Sequence, residues 1–370
     1  MKAWLPILAH SARRRNKPAE LVLVDGFAGR GTYSDGEPGS PLILRGIARD
    51  VVTAGIADEV ELFFVERDVD NHAQLSRVLA AEPVVAGVVS NPPEHAEFAA
   101  AARRILGPGR LGNRPRPAFW FVDPFGFSGM PLSLMRQILA PPRSEVYVTF
   151  MVREANRFLE TPQHQPHIAE TLGLSSEAYE RAIAKVRASG RAAQALRDLY
   201  QQRLLDEGGA KYVWTFRVAQ AGEEDTIYYL MHASTHPKAY REMKKATFDV
   251  GGWAHAFLGA DDVAVTGQRE LPLMDEVNAD MPTLKRRLLE VFAGEEVAYD
   301  PPFSPHERSL LNEACPDPQF FKWVDGHFHR AIEELISEGA VAKIPVTTKG
   351  KRGLSGSDRV RFPGGQQLSF

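Results

Sequence analysis

The 370-residue chain has a single cysteine, Cys315. That excludes an internal disulfide, and it excludes a thiolate-held zinc or iron–sulfur cluster built by this chain alone. Long apolar runs are missing too: none approaches the roughly 20 residues that span a bilayer. With no recognisable cleavage signal either, the sequence is expected to be cytoplasmic, without membrane contact. An excess of one charge is also lacking. Lys and Arg number 44 against 47 Asp and Glu, a net charge of −3, so no basic surface covers the whole molecule. His164 and His167 lie three apart without a third ligand nearby, and His232 and His236 fall in a strand and a turn; no metal site is expected.

What the chain does have is ordinary globular composition, 44% hydrophobic and 25% charged, at a length that calls for more than one core. Its organising stretch is Leu21-Val-Leu-Val-Asp25-Gly26-Phe27-Ala28-Gly29-Arg30-Gly31-Thr32-Tyr33. Four consecutive apolar residues predict a buried parallel strand, and the glycines follow with no spacer. Gly26, Gly29 and Gly31 let the backbone bend sharply and approach a ligand where a Cβ would collide. This is how a doubly wound α/β domain opens its nucleotide crevice, at the carboxyl end of the first strand. Asp25 and Phe27 belong to the same turn. The turn by itself leaves a dinucleotide, a nucleoside triphosphate and S-adenosylmethionine (SAM) all open.

Later elements narrow the choice. Val60–Glu66 reads as the second strand, and an acid at that position accepts both ribose hydroxyls of a nucleoside. A turn-rich loop, 35–41, precedes a helix over 41–54 for which Ser40 is the expected N-cap. A helix over 70–82 and a short third strand over 83–90 follow. Asn91-Pro92-Pro93-Glu94 then reads as a strand-to-helix turn, with Asn91 a candidate contact for the adenine or ribose edge.

Phe119–Asp123 is a strongly apolar strand that runs into Asp123-Pro124-Phe125-Gly126. Enzymes that methylate exocyclic amines hold the amine with the Asp of an Asp-Pro-Pro-aromatic element and stack an aromatic ring on the base. Here Phe125 replaces the second proline, and Asp123, Pro124 and Phe125 are the candidate catalytic residues. A helix over 132–139 and a strand over 145–151 come next. Helical sequence over about 155–210 follows, with 163–167 as a loop inside it. Tyr212–Val218 and Thr226–Ser234 form a terminal antiparallel hairpin, which suits a SAM-methyltransferase-type sheet better than a dehydrogenase. An NAD(P) oxidoreductase is disfavoured further because Gly-Phe-Ala-Gly-Arg-Gly is not G-x-G-x-x-G.

The basic residues are local. Residues 1–17, where a short amphipathic helix over 2–14 is expected, carry Lys2, Arg13, Arg14, Arg15 and Lys17 without an acid. So abrupt a start leads us to expect further chain upstream. Beyond an irregular acidic linker, 251–281, the pattern over 282–370 is helix, strand, helix, helix, strand, tip, strand. Ser304 is the expected cap of the second of these helices, and the third is expected over 319–338. This is the order of a winged helix, with Lys349, Lys351 and Arg352 at the tip as candidate DNA or RNA contacts.

Taken together, Asp25–Tyr33, Gly39-Ser40-Pro41, Val65-Glu66, Asp123-Pro124-Phe125-Gly126-Phe127 and Tyr228-Tyr229-Leu230 resemble the three-Cys-motif partner family. The resemblance covers about residues 1–250 and extends loosely through the winged helix. It implies an α/β, Rossmann-like SAM-methyltransferase domain over 1–250 with a mostly parallel sheet, and a C-terminal winged-helix domain. It also implies a separate partner protein carrying the three cysteines, an iron–sulfur cluster and radical-SAM-type chemistry. SAM is then the expected cofactor, cradled by Asp25, Gly26, Phe27, Gly29 and Gly31. Either methyl transfer to nucleic acid or a non-catalytic docking role in the partner complex is the expected function.

Overall fold

In the computed structural model of the chain, the run Leu21–Val24 is buried on both faces and forms the centre of strand β1 (Glu20–Asp25). The structure describes residues 18–112, 115–219, 226–251, 256–257, 274–300, 308–345 and 353–364. The helix expected over 2–14, the Ser304 cap, and Lys349, Lys351 and Arg352 lie outside the described residues.

The chain divides into two units, 1–239 and 240–370. In the first, β1 pairs in parallel with β2 (Glu59–Glu66) on one side and with β5 (Ala118–Val122) on the other. The sheet continues to β3 (Val88–Ser90) beyond β2 and to β6 (Ser144–Phe150) beyond β5, all parallel. A two-residue strand, β4 (Glu94–His95), pairs with the end of β2. The hairpin β7 (Tyr212–Ala219) and β8 (Thr226–Ser234) closes the sheet, β8 antiparallel to β6, giving the order β3-β2-β1-β5-β6-β8-β7. This is the expected α/β class: a mostly parallel sheet with an antiparallel ending.

Apolar residues on one sheet face, among them Val24, Trp120, Val148 and Met231, pack under helices. Those helices are α3 (Phe98–Ile105), α4 (Leu132–Leu139) and the four helices between β6 and β7. The four are α5 (Val152–Phe158), α6 (Gln165–Leu172), α7 (Ser176–Ala188) and α8 (Ala192–Asp206). On the β1–β2 side lie α1 (Ser40–Thr53) and α2 (Val69–Ala81).

Four local expectations change. Gly39 is the N-cap of α1 and Ser40 its first residue; Pro41 suits the first turn, and the Ser40 side chain is drawn to Asp25 instead. The third strand is only three residues long, because Pro83–Gly87 spends its length returning to the sheet edge. Asn91–Glu94 is not a plain strand-to-helix turn, since Glu94 and His95 pair with β2. Gln165-Pro166-His167 opens α6 rather than forming a loop, Pro at a first helical turn being well tolerated.

The second unit contains helices Met274–Val291, Leu310–Ala314 and Asp325–Ser337. An antiparallel three-stranded sheet has the order 296–298, 359–361, 342–344. The third helix is shorter than 319–338: Pro318–Phe320 is a 3₁₀ turn, and the helix proper starts at Asp325 after its N-cap Val324. Trp323 is thereby buried at the join, not displayed on the helix.

Within this unit Arg241, 2% exposed, uses every guanidinium donor. Its terminal nitrogens bond Asp300 Oδ1 and Oδ2 (both 2.8 Å), Asp325 Oδ2 (2.7 Å) and Asn312 Oδ1 (2.8 Å), and its Nε–H donates to Asp325 Oδ2 (2.9 Å). Buried Lys244 donates to the carbonyls of Cys315 (2.9 Å) and Phe320 (3.1 Å), placing a cation where helical carbonyls end. Burial pushes the Cys315 thiol up to about 12, so it is an inert packing group. Arg241→Ala should destabilise this unit by about 3 kcal/mol, since it strands two carboxylates that the guanidinium neutralised. Urea unfolding of the full chain, followed by the summed fluorescence of its five tryptophans, Trp323 among them, measures it; an unchanged unfolding curve would refute the role.

Candidate functional site

The strand ends β1, β2, β5 and β6 leave a crevice of about 950 Å³ in the first unit. Its floor is set by backbone hydrogen bonds that fix the glycine turn. Gly26 N–H donates to Phe121 C=O on one side and Ala28 N–H to Val65 C=O on the other, both at 2.9 Å. A Cβ on Gly26 would stand 2.6 Å from the Phe98 ring, which itself packs on Phe27 at 5.3 Å. Gly29 has φ +60° and open space before it. Gly31 does something else: its φ is +86°, a Cβ would face Leu75 of α2 at 3.1 Å, and its carbonyl accepts from Gly39 N–H at 2.8 Å. It therefore shapes the 32–38 loop and does not line the crevice.

Glu66, at the end of β2, lines the crevice. Its Oε2 accepts from Gly29 N–H (2.8 Å) and its Oε1 from Asp68 N–H (2.7 Å). Each carboxylate oxygen keeps a lone pair for a further donor. Gly26, Phe27 and Gly29 line the same space, with Arg67, Asn71 and Glu97 at its edge.

Asn91 is not brought there. Its amide donates to Glu61 Oε1 (3.0 Å) and to Leu62 C=O (3.1 Å), which ties the end of β3 to β2. Ala96 and Glu97, which follow β4, line the crevice where Asn91 does not.

Asp25 is fully buried beneath the turn rather than lining the crevice. Its Oδ1 accepts from Phe27 N–H (3.2 Å), while Oδ2 has no hydrogen-bond partner. Burial pushes its carboxyl up to about 7; the Ser40 hydroxyl and the Phe27 amide pull the other way, and the charges of Asp123 and Glu66 add to the rise. Ser40 exerts this pull without completing a hydrogen bond on Oδ2.

Across the crevice, Asp123 opens to the space at the end of β5, with Pro124 buried behind it and Phe125 fully exposed. Asp123 is open to water yet ringed by enough protein to raise its pKa, and a hydrogen bond from Thr149 opposes the rise. Sequence reading missed the company it keeps. Tyr147 and Thr149 from β6, Tyr228 and Leu230 from β8, and His167 and Glu170 from α6 share the lining. The phenols of Tyr147 and Tyr228 are both shifted up, first by burial and then by neighbouring charge, including that of Asp123. The alternation at 147 and 149 marks one face of β6, but only the pairing with β8 brings Tyr228 beside it.

No cluster of His, Cys, Asp or Glu able to hold a metal occurs among the described residues, and none of their helices is long and apolar enough to cross a membrane. No family model matches the chain, and no curated protein matches it. Among solved structures, a Legionella pneumophila protein of the family model DUF519 is similar at 12% identity, over 67% of this chain and 90% of that one, with a TM-score of 0.37. A Staphylococcus aureus protein provisionally assigned as a caffeoyl-CoA O-methyltransferase is 11% identical over 62% of this chain and 82% of its own, TM-score 0.29. The plantazolicin methyltransferase BamL, in complex with a triazolic desmethylPZN analog and SAH, is 9% identical over 58% and 64%, TM-score 0.27. Likenesses at this level carry no argument about activity.

A buried acid raised to about 7 favours the folded state most below its unfolded value near 4. That advantage is lost as pH rises through about 7. Asp25→Asn cannot lose it. The variant should therefore gain thermal stability relative to the parent as pH goes from 5 to 8. Melting curves of both proteins across that range check this; a difference that stays flat would exclude an ionising Asp25.

Proposed function

We propose that the chain is a SAM-dependent methyltransferase of amine acceptors, working beside a separate three-cysteine partner protein. The observation that carries this is the pairing, in one crevice, of the Glu66-anchored glycine turn with Asp123 at the next parallel strand end. Gly26 and Gly29 leave room for the methionine portion, and Glu66 keeps free lone pairs for two ribose hydroxyls. The orphaned Oδ2 of Asp25 adds a buried acceptor under the same turn. SAM, when bound, supplies an electrophilic methyl group on a sulfonium.

The residues of this chain do the rest. Asp123 and the Thr149 hydroxyl orient an amine whose nitrogen takes the methyl carbon as the carbon–sulfur bond breaks, its electron pair staying on sulfur. The amine's proton passes to the Asp123 carboxylate or to water, and the raised pKa of Asp123 suits that task. Tyr147, Leu230 and Met151 give the crevice an apolar lining that limits water. Alignment of nitrogen, carbon and sulfur supplies most of the rate gain in such a transfer.

The order of helices and strands in the second unit supports a winged-helix reading. Its described basic groups are already engaged: Arg359 and Arg361 with Glu296, Lys343 with Asp358, Lys322 with Asp280, and Arg330 with Glu334. That favours protein docking over nucleic-acid binding for the described surface. The only cysteine is buried and inert, so any iron–sulfur cluster in the complex belongs to the partner.

Titration calorimetry should give a micromolar Kd for SAM, on the order of −8 kcal/mol. Glu66→Gln should weaken it at least tenfold while the melting temperature stays close to the parent's. Absence of SAM and S-adenosylhomocysteine binding would refute the cofactor. Asp123→Asn should leave SAM affinity within about twofold and abolish labelled-methyl transfer in the presence of the partner. Cofactor binding with no transfer by the parent protein, partner included, would make the chain a docking subunit.

A further inference from the structure

The acceptor half of the crevice has a distinctive pattern of rings and charges. Phe125 is wholly exposed and Tyr33 67% exposed, which is costly for large rings that cover nothing. Phe125 lines the crevice together with half-buried Tyr228 and Tyr147, and Tyr33 lies near enough to Tyr228 to influence its phenol. Asp123 stands among them, with Thr149 in the same lining.

Charge points the same way. Glu66, Asp68, Glu97, Asp123 and Glu170 line the crevice, against Arg67 and His167. Arg67 stands 3.5 Å from Glu97. Among the described residues, the acceptor half has no lysine or arginine in its lining. A nucleic-acid strand carries a negative charge at every nucleotide, and proteins that take one up neutralise several of them with Lys and Arg. This crevice would repel such a strand.

We propose that the acceptor is a small aromatic amine, neutral or cationic, admitted to the crevice as a single molecule and held by its ring against Phe125 and Tyr228, not a base within a polynucleotide. The inference rests on the methyltransferase reading and specifies its substrate class. Rings recognise rings by stacking, and an amine that carries positive charge gains further from the aromatic faces and from Asp123 and Glu170. A volume of about 950 Å³ lies at the upper end for small-molecule sites, enough for a cofactor with a second ring system beside it.

The test uses the full chain saturated with S-adenosylhomocysteine, so that the cofactor half is filled. Adenosine, cytidine and tryptamine are each titrated by saturation-transfer NMR, and a deoxyadenosine hexamer is titrated in parallel at two salt concentrations. At least one of the three amines should bind saturably in the sub-millimolar range, with its ring protons the most strongly saturated. The double variant Phe125→Ala, Tyr228→Leu should weaken that binding at least tenfold and leave S-adenosylhomocysteine affinity within about twofold. The hexamer should bind at least tenfold more weakly than adenosine.

Two results would overturn the proposal: no amine bound in the cofactor-saturated protein, or a hexamer bound as tightly as adenosine with affinity that falls as salt rises. Failure of S-adenosylhomocysteine itself to bind is seen separately by calorimetry. It would remove the methyltransferase reading and this inference with it.

Discussion

Two backbone amides from different loops, Gly29 N–H and Asp68 N–H, converge on the one carboxylate of Glu66. This links the turn after β1 to the turn after β2, two segments that the sheet places side by side but does not itself join. Charge-assisted bonds of this kind are stronger than neutral ones, and they define the half of the crevice beside the glycine turn. The bonds from Gly26 to β5 and from Ala28 to β2 complete the arrangement by pinning the intervening backbone. Glycine is required at 26 because the Phe98 ring occupies the place of a Cβ, and at 29 because φ is positive.

The half around Asp123 depends on a different constraint. Asp123 leaves β5 into a short turn, and β6 and β8 pair so that Tyr147, Thr149, Leu230 and Tyr228 share a face with it. The antiparallel hairpin is thus more than an ending of the sheet. It adds the Tyr228 phenol to the Tyr147 phenol and Thr149 hydroxyl that the parallel neighbour β6 already places near the Asp123 carboxylate. Helix α6 brings His167 and Glu170 to the same space from the inserted helical segment. One half of the crevice is built from backbone and one acid, the other from side chains delivered by the turn after β5, by β6, by β8 and by α6.

The second unit solves its own packing problem with buried polar groups. Arg241 gathers Asp300, Asn312 and Asp325 from three segments, and Lys244 closes the carbonyl ends around Cys315 and Phe320. Such groups contribute directionality that apolar contacts do not, because each donor is satisfied in one arrangement only.

Much of this was legible from residue order. Apolar runs marked β1, β2, β5 and β6, Pro and Gly bounded the helices, and the glycine turn with Glu66 marked one side of the crevice, because these are signals carried by neighbours in the chain. Asn91 shows the limit: its sequence context matched a contact residue, yet pairing of β2 with β3 and β4 turned its amide inward to Glu61 and Leu62. Gly31 likewise looked like part of the cradle and proved to serve the loop that leads into α1. The ring cluster around Asp123 was invisible, since Tyr147 and Tyr228 lie far apart in the chain and meet only through the register of β6 on β8. Sequence determined the strands, the turn and the acids at their ends, through local sterics and burial. Tertiary structure alone decided which side chains face one another across the crevice, because strand pairing, which brings distant residues together, sets the direction in which each one points.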